Sequence, residues 1–352
     1  MKLLIKPLIQ EPVVFLSTII LLLVGVYILH SLSPDLFPQY YLYIALSFLM
    51  FYVFYLIGFE IIKYFSVHLF IISIILLVLT LIIGSVTRGA IRWIPLGIFS
   101  FQPSEIVRPF ILIFFARILS FKIKSVKYVI FYLFLAILPI ILIAIQPSFG
   151  VALLTLIGIS SMLIIKKIRG KNFLIALFVV LAALPSIWYF LKPYQKERVE
   201  TFFSYNSDPR GTGYNTIQSI IAVGSGGLLG RGFKKGFQTQ LRFLPEKHTD
   251  FVFAGISEEL GFLGSIALLI IIFILIYRIL YLAGKSKDEV YTLFSIGTAI
   301  LFLTETLINV GMNLGLLPIT GLPLPLVSAG GSSMISSLIT ISLLINGKNI
   351  KP

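Results

Sequence analysis

The chain has 352 residues, 58% of them hydrophobic and only 12% charged, a balance too apolar for a soluble domain and suited to a polytopic membrane protein. It contains no cysteine, which excludes disulfides, thiolate metal sites and cysteine nucleophiles and leaves the redox compartment open. A formal net charge of +14 would point to nucleic acid in a soluble protein, but the placement of the basic residues gives a different account.

Apolar stretches able to cross about 30 Å of hydrocarbon as helices are predicted near 13–30, 39–58, 66–84, 104–120, 127–145, 150–167, 172–191, 251–281, 290–312 and 326–346. The fold class is therefore all-α: a polytopic membrane protein with about ten transmembrane helices, forming one integral membrane domain over residues 1–352. The first stretch lacks a small-residue cleavage site and reads as a span, not a removable signal. The eighth is too long for one straight crossing and is expected to start above the membrane. Alternating the loops gathers Lys2, Lys6, Lys63, the 117–127 and 166–171 clusters, Arg278, Lys285, Lys287, Lys348 and Lys351 on one side. The positive-inside rule makes that side cytoplasmic, with both termini in it and a large extracytoplasmic loop, 192–250, between helices 7 and 8. The positive charge is then topological, and no nucleic-acid partner is expected.

This topology collects the unusual segments on the outer face: "TRGAIRWIPLGIFSFQPSE", "QPSFG", the 192–250 loop and "NLGLLPITGLPLPLVSAGGSS". Four separate polar or Gly/Pro-rich segments on one side form a site-like arrangement. At the outer start of the fourth span, Glu105 and Arg108 stand three residues apart and stack on one helical face. Charges at such depth face a bundle interior or a wet cavity, so the pair reads equally as a packing salt bridge or as a cavity wall. Pro109 favours local irregularity there.

The glycine run "GTGYNTIQSIIAVGSGGLLGRGF" lacks a GKS or GKT ending and a preceding strand, so it is neither a P-loop nor a dinucleotide fingerprint. "NTIQSIIAV" reads as an amphipathic helix lying on the membrane, followed by a tight glycine turn. In "LPEKHTDFVFAGISEELGF", Glu246, Lys247, His248 and Asp250 gather where the long loop meets the eighth span. The spacing is not that of a zinc site. A lone carboxylate at the membrane surface suits general-base chemistry on a hydroxyl. Glu258 and Glu259 lie about two turns deeper and read as buried helix-to-loop ties.

The blocks "RWIPLGIFSFQPSE", "GYNTIQSIIAVGSGGLLGRGF", "FLPEKHTDFVFAGISEELG" and "NVGMNLGLLPITGLPLPLVSAGGSS" resemble the signature blocks of the SEDS family, which includes RodA and FtsW. The resemblance runs from about residue 84 to 345, in the family's order. It implies a peptidoglycan glycosyltransferase that polymerises lipid II, working on undecaprenyl-pyrophosphate-linked glycan at the outer face of the bacterial cytoplasmic membrane. A class B penicillin-binding protein is the implied transpeptidase partner. Asp250 matches the family's essential acidic position, the implied catalytic base. Arg92 and Trp93 match its "RWI" block, Glu105 and Arg108 its "QPSE" helix, and Ser332 its "GGSS" block. Glu246, Lys247 and His248 would support the base, and loop cations such as Arg198, Arg210 and Lys235 would bind the leaving pyrophosphate. No organic cofactor is implied. A divalent cation, Mg or Mn, could share the phosphate charge, although no carboxylate cage for one is visible.

Four positions depart from the family pattern. Arg108 stands in place of lysine, Ser148 in place of aspartate, Arg88 in place of asparagine and Ala329 in place of tyrosine. Short termini are somewhat more RodA-like. A lipid II flippase is the main rival and would show internal repeats and polar groups near mid-membrane. A non-catalytic scaffold for a penicillin-binding protein is the third reading.

Overall fold

The computed structural model describes residues 2–87, 90–96, 99–121, 126–166, 196, 200–202, 212–241 and 243–348. Helices α1 (Lys2–Gln10), α2 (Pro12–Leu32), α3 (Phe37–Ile57), α4 (Phe59–Tyr64) and α5 (Ser66–Ile83) form the first part of the bundle. Gly58, at φ 85°, ends α3 in a conformation that favours glycine. The side chain of Asn346 spans the break, accepting from Phe59 N at 3.0 Å and donating to the Tyr55 carbonyl at 3.0 Å.

A small antiparallel sheet follows, in order β1 (Ser85–Thr87), β2 (Ala90–Leu96), β3 (Phe99–Phe101). This stretch is one of the outer polar or Gly/Pro-rich segments of the sequence. The β-branched and aromatic residues of "AIRWIPL" and "FSF" pair across strands, Ile94 opposite Phe101.

The chain continues as α6 (Pro103–Ile106), α7 (Arg108–Ser120), α8 (Val126–Ile145) and α9 (Phe149–Ile165). The single predicted fourth span is thus two helices meeting at Val107, with Pro109 in the first turn of the second. The predicted seventh span, 172–191, lies outside the described residues. Beyond it come α10 (Thr212–Ser225), α11 (Phe237–Gln240), α12 (Val252–Lys285), α13 (Glu289–Asn313) and α14 (Gly331–Gly347). The last helix starts five residues later than the predicted 326, because the Pro-rich segment before it stays non-helical and Leu326 takes φ 63°.

Among the described residues, five helical segments are long and apolar enough to cross a membrane, in α2, α3, α5, α12 and α13, and three shorter apolar ones lie in α8, α9 and α14. Small residues permit their close packing. A Cβ on Gly25 of α2 would sit 2.7 Å from the Val327 carbonyl oxygen, and one on Gly331 of α14 would sit 2.3 Å from the Tyr43 ring of α3. Helix α14 is buried along nearly its whole length. By contrast α5 exposes Ile71, Ile72 and Ile75, an apolar flank suited to lipid.

Helix α12 is broken within its first turns: Gly261 has φ 69° and ψ −166°. The glycine-rich segment 226–232 satisfies the backbone groups that the break releases. Arg231 N and Gly232 N donate to the carbonyls of Glu258 and Glu259 at 2.9 and 3.0 Å, and Phe262 N donates to Gly227 O at 2.9 Å. A Cβ on Gly226 would lie 1.8 Å from Ser257 O, so this approach requires glycine. The glycine run therefore serves backbone-to-backbone docking.

At the end of the bundle that holds Gln10 and Lys348, buried Glu11 pairs with Arg278, 2.9 Å away, and with Lys348. Lys63 contacts Asp288 at 2.6 Å and Glu60 at 2.9 Å. Burial alone would lower the Lys63 pKa, but hydrogen bonds to Asp288 and Glu60 hold it above the usual lysine value. Asp288 also caps α13, accepting from Tyr291 N at 2.8 Å.

Candidate active site

Asp250 lies at the opposite end, in a turn that leads directly into α12. Thr249 N and Phe251 N both donate to the Glu246 carbonyl, at 3.1 and 3.3 Å, and Glu246 takes φ 50° to close the turn. Three consecutive peptide carbonyls of this turn are then held from outside it. The His248 carbonyl accepts from Ala329 N at 2.9 Å, and the Thr249 carbonyl accepts from Ser328 Oγ at 2.7 Å. The Asp250 carbonyl accepts from Asn309 Nδ2 at 3.1 Å and from Asn313 Nδ2 at 3.0 Å. Asn313 also accepts from Ala254 N at 3.0 Å, fixing the first turn of α12 to the end of α13. Asp250 is half-buried, at the junction of turn and helix.

Its neighbours fall into place around this turn. His248 Nε2 lies 3.8 Å from Glu246 Oε2. Lys247 reaches back and donates to the Thr239 carbonyl, so its ammonium ties the loop to α11. Lys235 is exposed on the same loop. Arg198 and Arg210 lie outside the described residues, as does Arg88. Helix α10 forms as expected, but it packs on the bundle: Ser219 Oγ donates to the Asn313 carbonyl at 2.9 Å. Its Ile220 and Ile221 remain exposed.

Glu258 and Glu259 act as the expected ties. Glu258 accepts from Gln238 N and Thr239 N, at 2.8 and 3.0 Å, and Glu259 accepts from the Ser31 hydroxyl. Both stand at most 1% exposed, and their hydrogen bonds hold 236–240 and α2 against α12.

The strands and α6 supply a second wall. Gln102 N donates to Ser332 Oγ at 2.7 Å, and Gln102 Nε2 donates to Ser104 Oγ and Ser148 Oγ at 3.1 and 3.0 Å. Ser332 is fully buried as that acceptor, and the bond fastens α14 to the strand end. Ser148, standing where the SEDS pattern has aspartate, receives a hydrogen bond from Gln102. Ala329, standing where the pattern has tyrosine, contributes its backbone amide, which needs no side chain. Arg92 and Trp93 are half-buried on β2.

Glu105 and Arg108 are buried, 6% and 3% exposed. The expected mutual salt bridge does not form: the ion-pair partner of Arg108 is Glu305 of α13, with Nη1 3.7 Å from Oε1, because α7 packs against α13. Arg108, Glu305 and Arg92 are the charged groups that act on Glu105. The sequence reading missed Glu305, Asn309 and Asn313. Their spacing, four residues apart in an otherwise apolar span, was the available signal. Among the described residues, no three His, Cys, Asp or Glu gather as a metal site would.

Residues 11–351 match the FtsW/RodA/SpoVE family model, described as "Cell cycle protein". The chain is 40% identical over 271 residues to the peptidoglycan glycosyltransferase MrdB of Escherichia coli strain K12, covering 76% of this chain and 73% of that one. It is 36% identical to MrdB of Helicobacter pylori strain J99, covering 96% and 92%. In structure it is similar to a chain of a peptidoglycan synthase complex that coordinates polymerization and crosslinking, with TM-score 0.82, 30% identity and 96% and 97% coverage. It is also similar to the rod shape determining protein RodA of Thermus thermophilus, with TM-score 0.71, 25% identity and 95% of each chain covered.

Proposed function

The chain belongs to the FtsW/RodA/SpoVE family and is a peptidoglycan glycosyltransferase of the polytopic membrane class, and from that premise we propose that it polymerises lipid II with Asp250 as general base. The observation that carries this reading is the fixing of His248, Thr249 and Asp250 by hydrogen bonds to three consecutive carbonyls. A base must hold its place as the acceptor approaches, and a rigid supporting shell provides that.

The Asp250 carboxylate takes the proton from the 4-hydroxyl of the acceptor sugar. The oxygen then attacks the anomeric carbon of the growing chain, the bond to pyrophosphate breaks, and undecaprenyl pyrophosphate leaves with inversion. Arg92, with Arg198, Arg210 and Lys235 of the long loop, is assigned to the departing negative charge. A divalent cation, Mg or Mn, suits the same task, since Mg2+ typically binds substrate phosphates with one or two carboxylates. The Asp250 end faces outward in the bacterial cytoplasmic membrane, as the alternation of basic loops implies. A class B penicillin-binding protein is the proposed partner, supported by the likeness to a chain of a synthase complex.

The test is polymerisation of lipid II by the purified protein, alone and with its partner. Asp250→Asn keeps the size of the side chain but not its basicity, and should lose roughly 10²–10⁴-fold in rate while lipid II binding persists. Retention of a tenth or more of the rate by that variant would place the base elsewhere. Orientation is tested separately: a cysteine introduced at position 235 should react with an impermeant reagent on whole cells, and one at position 169 should not.

A further inference from the structure

Glu305 is a buried carboxylate that the reading of Asp250 as base leaves without a task. It has no exposure, and it sits on α13 one turn before Asn309 and two before Asn313. The three therefore share one stripe of the helix. The two asparagines hold the Asp250 carbonyl, while Glu305 faces Arg108 at 3.7 Å, an ion pair too long to be a hydrogen bond. Among the described residues, Arg108 Nη1, both Glu305 oxygens, Thr298 Oγ1 and Ser337 Oγ have no hydrogen-bond partner. Arg108, Thr298 and Ser337 line a small cavity of about 10 Å³ between α7, α13 and α14.

Buried polar groups are almost always satisfied, and unsatisfied charges in a low dielectric are costly. Apolar side chains of similar volume would be at least as stable in this position. As packing alone the cluster is thus unfavourable, and its charges call for another account. The charge balance supplies one. Glu105 and Glu305 offset Arg92 and Arg108, and removing Glu305 leaves the guanidiniums in excess beside Glu105. The cluster draws on β2, α6, α7 and α13, and through Glu105 on α6 it adjoins the second wall of the site.

We propose that Glu305 is a positioning residue for glycosyl transfer, fixing the Arg108 guanidinium beside this cavity and setting its depth below the Asp250 turn through the shared stripe Glu305, Asn309, Asn313. The proposal rests on the reading of Asp250 as the base. Because Glu305 acts through Arg108 and touches no sugar, it bears on turnover and not on substrate capture.

The experiment uses the full-length protein and measures kcat and KM for lipid II polymerisation together with folded yield and thermal midpoint. Glu305→Gln should lower kcat by about tenfold, with KM changed less than about threefold and folding near normal. Glu305→Asp, which keeps the charge, should recover kcat to within about threefold of the unsubstituted protein. If Glu305→Gln does not accumulate, the doubly neutral Arg108→Gln/Glu305→Gln protein leaves neither of the two charges unpaired, and it should fold with kcat at or below about a tenth. Near-normal kcat in Glu305→Gln or in the double variant overturns the proposal. So does an activity loss that tracks folded protein, or an equal loss in the Asp and Gln variants. Asp250→Asn in the same assay separates the two ideas, since an active Asp250→Asn protein defeats the base assignment while the Glu305 series is still read directly.

Discussion

At the end of the bundle that holds Gln10 and Lys348, charge is used to fasten helices: Glu11 receives Arg278 and Lys348, and Lys63 binds Asp288, which in turn caps α13. Toward the Asp250 end, charge is treated differently. Arg108 and Glu305 stand 3.7 Å apart with polar atoms left over, beside a cavity. The same helix, α13, joins both regions. A tightly paired charge at a half-exposed edge stabilises an interface, whereas an under-satisfied buried charge costs stability and is typical of a working site. The expectation is a division of labour, with substitutions at the first end acting on stability and those near Asp250 acting on turnover.

The strongest way to break that division is at the asparagines. Asn309→Ala with Asn313→Ala removes both donors to the Asp250 carbonyl and loosens the turn that carries the proposed base. A displacement of about 1 Å at a reacting group can cost on the order of 10²-fold, so kcat should fall by about that factor in a protein that remains folded. A loss confined to thermal stability would show that the stripe is architecture only. Next in size is Gly230→Ala. Gly230 has φ 81°, and its Cβ would lie 2.2 Å from the Glu259 carbonyl oxygen. The loop must leave the Gly261 break, at about 3 kcal/mol, read as a drop in thermal midpoint and faster proteolysis within 226–232.

These two predictions turn on contacts outside what the sequence made legible. Hydrophobic runs placed the apolar helices α2, α3, α5, α8, α9, α12, α13 and α14, whereas the break at Gly261 was not readable from the length of 251–281. Glu258 and Glu259 as ties were also readable, because acids are rare in such a chain and these two lie deep along the helix. The partner of Arg108 was not readable. Glu305 lies far away in the chain, and its pairing depends on how α7 and α13 pack, which periodicity does not specify. The role of the glycine run was hidden for the same reason, since close approach to another backbone is a tertiary fact. The strands of 85–101 are too short, at 3 and 7 residues, to show a clear alternation before the fold pairs them.

A third prediction addresses the fastening end. Glu11→Gln weakens the contacts with Arg278 and Lys348. Their side chains are 26% and 36% exposed and can turn toward water, so the loss should be about 2 kcal/mol and not the larger figure of a fully buried pair. The folded fraction should polymerise at a normal rate per molecule.

Lys63→Ala is the smallest and sharpest comparison. Lys63 is 22% exposed and lies 2.6 Å from Asp288, whose other oxygen already accepts from Tyr291 N. Removing the ammonium therefore leaves the cap of α13 in place, and a partly exposed ion pair contributes about 1 kcal/mol or less. Thermal unfolding should show a shift of a few degrees at most, with kcat unchanged. Asp288→Ala, which also deletes the cap, should cost about 1 kcal/mol more. Because α13 runs from this cap to the asparagines at the Asp250 turn, the pair of variants asks whether the far end of the helix feels its start. If Lys63→Ala lowered kcat about tenfold without unfolding the protein, the two ends would be coupled along α13, and the separation of fastening from catalysis would have to be abandoned.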